Sequence, residues 1–131
     1  MRALLDTGVW FRRYHRLPMS AALRQYLNEV TEFYLSPLSV AEISYQWQRG
    51  KLPQVPDPQT WVSRSLENFL LLDLSSEAAL QAGLWPWAHR DLVDRALAAM
   101  AAQSRITLVH TDKVLRDCEG FPQKWFKNTA A

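Results

Sequence analysis

Four acidic residues occupy positions from which their side chains could converge. Asp6 and Asp112 each follow a short apolar run, while Glu42 and Asp94 each lie three residues after a side chain that can cap a helix. If the two apolar runs form adjacent strands of a parallel sheet, Asp6 and Asp112 lie at the same sheet edge, near helix N-termini. The spacing therefore predicts a cluster of four carboxylates.

Such a cluster points to metal chemistry. Carboxylates a few ångströms apart raise one another's pKa values, and a hard divalent cation relieves that repulsion. Oxygen ligands select Mg²⁺ or Mn²⁺ over zinc, and these ions keep several waters. An ion of this kind activates water and stabilises charge on a phosphate. The chemistry predicted is metal-dependent hydrolysis of a phosphodiester.

The stretch that begins at Asp91 is the most distinct helix in the sequence. Asp91 follows a loop containing Pro86 and precedes an alanine-rich and leucine-rich run. We predict that it is the N-cap, a role that we favour over direct metal ligation. Asp94 then lies at the third helical position, beside unpaired backbone N–H groups and the positive end of the helix. Its carboxylate is expected to be ionised at neutral pH.

Apolar runs predict the strands that position these acids. Helical segments separate the runs, so we expect right-handed crossovers and a parallel sheet with helices on both faces. The predicted strands cover residues 2–6, 33–36, 69–73 and 106–110, and a short fifth strand is placed in the tail near Trp125.

Capping signals place the remaining helices. Ser39 followed by Glu42 has the spacing of a capping box, which puts Glu42 at the third helical position. Thr7 and Gly8 are interpreted as a break after the first strand. Further helices are predicted to begin near Ser20, Asp57 and Ser76.

Length and composition fit one soluble domain. The chain has 131 residues, 48% of them hydrophobic and 21% charged, with a net charge of +2. It has no apolar run of about 20 residues and no signal-peptide pattern, so we expect a cytoplasmic protein that does not enter a membrane. Its single cysteine, Cys118, suits a reducing compartment. The six tryptophans either cover a partner-binding surface or, as we favour for any one of them, fill seams between helices and sheet.

The acidic positions and their surroundings resemble a known family. They occur in the order and approximate spacing of a PIN domain, of the VapC type that forms the toxin half of bacterial toxin–antitoxin pairs. The resemblance extends from residue 2 to about residue 126. Four motifs carry it: Leu4-Leu5-Asp6-Thr7, Ser39-x-x-Glu42, His89-Arg90-Asp91-x-x-Asp94-Arg95 and Thr111-Asp112.

This resemblance implies both a fold and an activity. The fold is a single PIN-like domain over residues 1–131, a three-layer α/β/α sandwich with a four- to five-stranded, mainly parallel sheet in the order 3-2-1-4-5. The activity is that of a Mg²⁺-dependent or Mn²⁺-dependent endoribonuclease, inhibited by a cognate antitoxin protein and expected to form a homodimer. The resemblance assigns catalysis and metal binding to Asp6, Glu42, Asp94 and Asp112.

Residues around the acids have open roles. Ser39 is expected to cap its helix, and the Thr111 hydroxyl either faces a metal-held water or belongs to a turn. Arg90 and Arg95 either contact RNA phosphate or pair with a neighbouring acid. His89 is interpreted as a loop or packing residue.

Two other functions remain open from sequence. A receiver-like regulatory domain would use Asp73 as phosphoacceptor, but it needs an acidic pair after the first strand, where Asp6 stands alone. A PIN-like fold that only binds RNA or protein, without catalysis, is the second. The acidic quartet favours the nuclease over both.

Overall fold

Five short strands form one parallel sheet in the computed structural model, which describes residues 1–128. The strand order is β3-β2-β1-β4-β5, and every neighbouring pair is parallel. The predicted fold class and strand order are therefore confirmed, including the fifth strand. The strands are β1 Arg2–Leu5, β2 Glu32–Leu35, β3 Phe69–Leu71, β4 Thr107–His110 and β5 Gln123–Trp125.

Helices cover both faces of this sheet. The two faces follow from the alternation of side chains along a strand: Ala3 and Leu5 of β1 pack into one core cluster, and Leu4 packs into the other. The helices of the described chain are α1 Thr7–His15, α2 Ala21–Glu29, α3 Pro37–Gln48, α4 Pro58–Ser65, α5 Ser76–Leu84, α6 Leu92–Ser104 and α7 Lys113–Arg116.

The central strands bring two of the predicted site residues together. Leu5 at the end of β1 is in register with Val109 of β4, and the Asp6 N–H donates to the Val109 carbonyl at 3.1 Å. Asp6 and Asp112 therefore leave the sheet from neighbouring strands at its carboxyl edge, as the sequence predicted.

Helix α1 was not predicted. Thr7 and Gly8 are its first two residues rather than a break, because the Asp6 carboxylate caps the helix through the Val9 N–H. Val9 and Trp10 are fully buried against the sheet, and this burial stabilises a short helix that the sequence pattern alone does not favour.

Helix α3 begins earlier than predicted. Ser36 is its N-cap, with its hydroxyl accepting from the Leu38 N–H, and Pro37 is at the first helical position. The capping-box prediction for Ser39 is therefore wrong, and Glu42 lies in the second turn of α3 rather than at the third position.

The tryptophans mostly fill seams. Trp10 and Trp61 are buried with ring centroids 5.0 Å apart, and Trp85 stacks on Trp87 at 4.0 Å. Trp47 is more exposed, although its indole N–H donates to the Val55 carbonyl. Among residues 1–128, no helix is long and apolar enough to span a membrane.

Candidate metal centre

Asp6 joins β1 to α1 and is held by backbone. Its Oδ1 accepts from the Val9 N–H at 2.7 Å. Burial, which is the largest cause, and the nearby charges of Glu42 and Asp112 together raise the pKa of Asp6 to about 7, although hydrogen bonds from backbone N–H groups act in the opposite direction. Asp6 therefore lies close enough to Glu42 and Asp112 for their charges to raise its pKa.

Asp94 lies at the third position of α6, as predicted, but it is not poised to ionise. Burial, which is the largest cause, and the charges of Asp91, Asp112 and Asp6 together raise its pKa to about 8. The expectation that the helix dipole keeps Asp94 ionised at neutral pH is wrong for the metal-free protein, because desolvation and like charge outweigh the dipole.

Asp112 is the N-cap of α7. Its carboxylate accepts from the N–H groups of Val114 at 2.8 Å and Leu115 at 3.2 Å. Burial acts to raise the pKa of Asp112, but these N–H groups and the neighbouring Asp94 hold it below its ordinary value. The pKa values of these two neighbouring acids are therefore shifted in opposite directions, and Asp112 ionises more readily than Asp94.

His89 lies between those two acids. Its Nε2 is 3.1 Å from Oδ2 of Asp94 and 3.1 Å from Oδ2 of Asp112. Its side chain is only 10% exposed. The sequence interpretation of His89 as a loop or packing residue missed this contact. The available signal was its place in the His89-Arg90-Asp91-x-x-Asp94 motif.

Glu42 approaches the cluster from α3. Its carboxylate accepts from the Thr7 hydroxyl, which lies 2.9 Å from the Ser39 hydroxyl. Burial raises the pKa of Glu42, the Thr7 hydrogen bond opposes this, and the charge of Asp91 adds to it. Ser39 is fully buried, so its role is to fix the Thr7 and Glu42 side chains. Thr7 was not among the predicted site residues.

The PIN domain family model matches residues 3–120. The chain belongs to the PIN domain family. The resemblance inferred from the sequence is thereby confirmed, and proteins of this family are generally nucleases. A search of curated proteins found no significant match.

Solved structures support the same PIN fold. VapBC2 from Rickettsia felis, bound to a promoter DNA fragment, aligns with a TM-score of 0.69 at 17% identity over 95% of this chain and 98% of that chain. A toxin–antitoxin complex from Klebsiella pneumoniae gives 0.66 at 16% identity, covering 90% and 93%. FitAcB from Neisseria gonorrhoeae gives 0.53 at 20% identity, covering 86% and 89%.

Asp91 and Arg90 flank the PIN-domain acids. The Asp91 carboxylate accepts from the N–H groups of Val93 at 3.0 Å and Asp94 at 3.2 Å, so Asp91 is the N-cap of α6. Arg90 is exposed beside it, and its contact with RNA phosphate stays a prediction. The Thr111 backbone N–H favours the charged form of Asp6, whereas a role for the Thr111 hydroxyl stays a prediction.

Arg95 has a different role from the one predicted. It is buried, and its five N–H donors all point to backbone carbonyls of the segment that precedes α6. The prediction that Arg95 contacts phosphate or an acid is wrong, because no donor is left for either. The acceptors are Ala82 at 2.7 Å, His89 at 2.8 Å, Trp87 at 3.2 Å, Gly83 at 3.4 Å and Trp85.

The residues of this PIN domain fit a divalent cation. One ring nitrogen of His89 and carboxylate oxygens of Asp94 and Asp112 lie within 4.8 Å of one another, whereas Asp6 and Glu42 are not part of this group. The charge of Asp6 contributes to the raised pKa of Asp94, so Asp6 lies near the group. The pKa values of Asp6 and Asp94 are raised because burial and neighbouring carboxylates make the ionised forms less favourable. A bound cation would offset the repulsion between the ionised carboxylates. Carboxylate oxygens are the ligands that Mg²⁺ and Mn²⁺ prefer.

A cleft opens beside the centre. Its volume is about 620 Å³, and it lies between the loop before α6 and the segment that contains α7. Trp87 and His89 line one side, and Lys113 and Cys118 line the other. His89 is the residue that this cleft shares with the metal centre.

Proposed function

We propose that this PIN domain is a Mg²⁺-dependent or Mn²⁺-dependent endoribonuclease. The observation that carries the proposal is the pair Asp94 and Asp112, which offer carboxylate oxygens within 4.8 Å of each other. The charges of Glu42 and Asp112 contribute to the raised pKa of Asp6, which supports a place for Asp6 and Glu42 in the same site. These four acids come from four elements, and three of them have raised pKa values, mainly because they are buried and also because other acidic residues lie nearby. An unneutralised cluster of this kind is costly, which supports a cation as its resident partner.

The site residues have distinct tasks in this proposal. A bound divalent cation would activate water and neutralise charge that develops on the phosphate. Asp94 and Asp112 face each other across the position where their shared ligand would lie, and backbone N–H groups fix Asp112. The Thr7 hydroxyl orients the Glu42 carboxylate.

The substrate proposed is single-stranded or looped RNA. The carboxylates lie at an open sheet edge beside the cleft, where a flexible strand can place one phosphate. A rigid duplex would bring many phosphates against the acids, whereas unpaired RNA can splay its bases away from them. Arg90 and Lys113 are exposed next to the acidic positions and would hold flanking phosphates.

We further propose that the protein is the toxin of a toxin–antitoxin pair. Of the structures with this fold, one is a toxin–antitoxin complex and another is VapBC2 bound to a fragment of its promoter DNA, which supports an antitoxin partner for this chain. Large exposed apolar side chains on and around β3 and α5 supply surface for the antitoxin or for a homodimer. They are Leu70, Leu71, Leu74, Leu80, Leu84 and Leu92. The compartment proposed is the cytoplasm.

A cleavage assay tests the activity. A fluorescent single-stranded RNA is incubated with the purified chain in Mg²⁺, in Mn²⁺ and in EDTA, with single-stranded DNA of the same sequence as substrate control. We expect cleavage of RNA in both metals and none in EDTA. Full-rate cleavage in excess EDTA, with bound metal shown to be absent, would sink the metal-hydrolase proposal. Metal binding without any cleavage of RNA would favour a catalytically silent binding module.

The partner is tested separately. The product of the adjacent reading frame is co-expressed with this chain, and the mass of the complex and the residual cleavage are measured. We expect a stable complex that does not cleave RNA. A chain that stays monomeric at high concentration and is neither bound nor inhibited by that product contradicts the toxin assignment.

A further inference from the structure

His89 sits where a cation would sit. Its Nε2 is equidistant, at 3.1 Å, from Oδ2 of Asp94 and Oδ2 of Asp112. These are the oxygens that the proposed metal would use. We infer that His89 sets the metal affinity of the centre by occupying the space between the two carboxylates until a cation displaces it. This inference rests on the proposed function.

The second ring nitrogen shows that His89 acts as a donor. The Asp91 backbone N–H points to Nδ1 at 3.4 Å, so Nδ1 is the acceptor and the ring proton is on Nε2. A histidine that ligates a metal normally donates its other N–H to a carbonyl or carboxylate. Here the other nitrogen faces a donor. His89 therefore donates an N–H to the two acids. In this orientation it competes with a cation for their oxygens and does not act as a metal ligand.

This contact and a metal ion exclude each other. Mg²⁺ binds carboxylate oxygens directly, at about 2.1 Å, so a cation held by Asp94 and Asp112 would compete with the Nε2–H group for the same oxygens. A cation that enters must break both hydrogen bonds. Part of the free energy of metal binding is spent on that exchange, and the observed affinity falls accordingly.

The backbone holds His89 at this position. The Arg95 guanidinium donates to the carbonyls of His89, Trp87 and Trp85, which fixes the loop before α6. Arg95 is buried, so this anchor is shielded from solvent. The loop therefore stays in place during the exchange, and rotation of the His89 side chain is the motion that clears the site.

A cleft next to His89 can accommodate its imidazole ring after displacement. The cleft of about 620 Å³ begins at His89 and continues along Trp87 and Lys113. A ring that rotates into it leaves the carboxylates without disturbing the anchor at Arg95.

Direct metal binding tests the inference. Mn²⁺ affinity of the full chain is measured by electron paramagnetic resonance of free Mn²⁺, and checked by calorimetry, for the wild type, His89→Ala, His89→Gln and Asp94→Asn. We expect His89→Ala to bind Mn²⁺ about tenfold more tightly than the wild type, since the competing donor is gone. We expect His89→Gln, whose amide restores an N–H donor of similar reach, to bind near the wild-type level. Circular dichroism confirms that each variant is folded.

Each other outcome has a defined meaning. Weaker binding by His89→Ala identifies His89 as a nitrogen ligand, and unchanged binding shows that it does not compete, so either result overturns the inference. Tightening by His89→Gln equal to that of His89→Ala contradicts the role of the N–H donor. If Asp94→Asn binds as well as the wild type, or if no form binds Mn²⁺, the proposed function itself fails. A loss of folding cannot mimic the expected result, because that result is a gain in affinity.

Discussion

Replacing Asp94 by Asn should stabilise the metal-free protein at high pH. Asn keeps the shape of the side chain at the third position of α6 and removes its charge. In the folded protein the pKa of Asp94 is raised from 3.8 to about 8, so the folded state binds this proton more tightly than the unfolded state. The free energy of unfolding of the wild type therefore falls as pH rises from about 4 to about 8, and Asp94→Asn lacks this loss.

The size of the effect follows from the pKa difference. About four pKa units correspond to an upper bound of roughly 6 kcal/mol at about 1.4 kcal/mol per unit. Two features reduce this figure: the pKa of Asp112 shifts in the opposite direction, and the Asp94 side chain is 22% exposed. We expect Asp94→Asn to raise the free energy of unfolding by about 2 kcal/mol at about pH 9, and by less than about 0.5 kcal/mol at about pH 3.5, where Asp94 is mostly protonated in both states.

Urea unfolding in EDTA at the two pH values measures this effect, with Asp91→Asn as the matched control. Asp91 is an acid of the same helix start, but it is exposed and Asn caps a helix about as well. We expect Asp91→Asn to stabilise the protein at about pH 9 by clearly less than Asp94→Asn does, because the Asp91 charge is only one of the causes that raise the pKa of Asp94. Asp94→Asn should also lose RNA cleavage, whereas Asp91→Asn should keep it. Equal stabilisation by Asp94→Asn at both pH values, or none at high pH, would refute the charge-repulsion explanation. Full activity of Asp94→Asn would remove α6 from the site.

Three further predictions concern the cap, the buried arginine and the metal. Asp91→Ala should lower the free energy of unfolding by about 1 kcal/mol through loss of the N-cap, measured by urea unfolding, and should still cleave RNA. Arg95→Met should lower the free energy of unfolding by about 3 kcal/mol, because one buried and four partly buried carbonyls lose their donor; a loss below about 1 kcal/mol would contradict the anchor role. Mn²⁺ should raise the melting temperature of the wild type and leave that of Asp94→Asn unchanged, and an equal rise in both would place the ion elsewhere.

Local patterns carried much of the fold and part of the site. The apolar runs predicted the positions of the strands to within about two residues, because buried parallel strands are short and continuously apolar. Asp91 was identified as an N-cap, since a cap needs only its own side chain and the next few N–H groups. The positions of Asp6, Asp94 and Asp112 at strand ends and helix starts followed from the same local signals.

Two features of the fold were not predicted from the sequence because residues distant in the chain determine them. Helix α1 depends on the burial of Val9 and Trp10 against the sheet, and not on its own propensity. Ser36 caps α3 although Ser39 has the better capping-box spacing, since Ser39 is buried next to the Thr7 hydroxyl.

The sequence by itself determined which acids this PIN domain carries and at which ends of its elements they lie. Tertiary structure decided the pKa values of these acids and which side chains lie next to them. It raised the pKa values of Asp6 and Asp94, which depend on burial and on charges from other elements. It also placed the His89 imidazole between Asp94 and Asp112 and turned Arg95 inward. Desolvation and contacts between distant segments exist only after the chain has packed, so no local pattern encodes them.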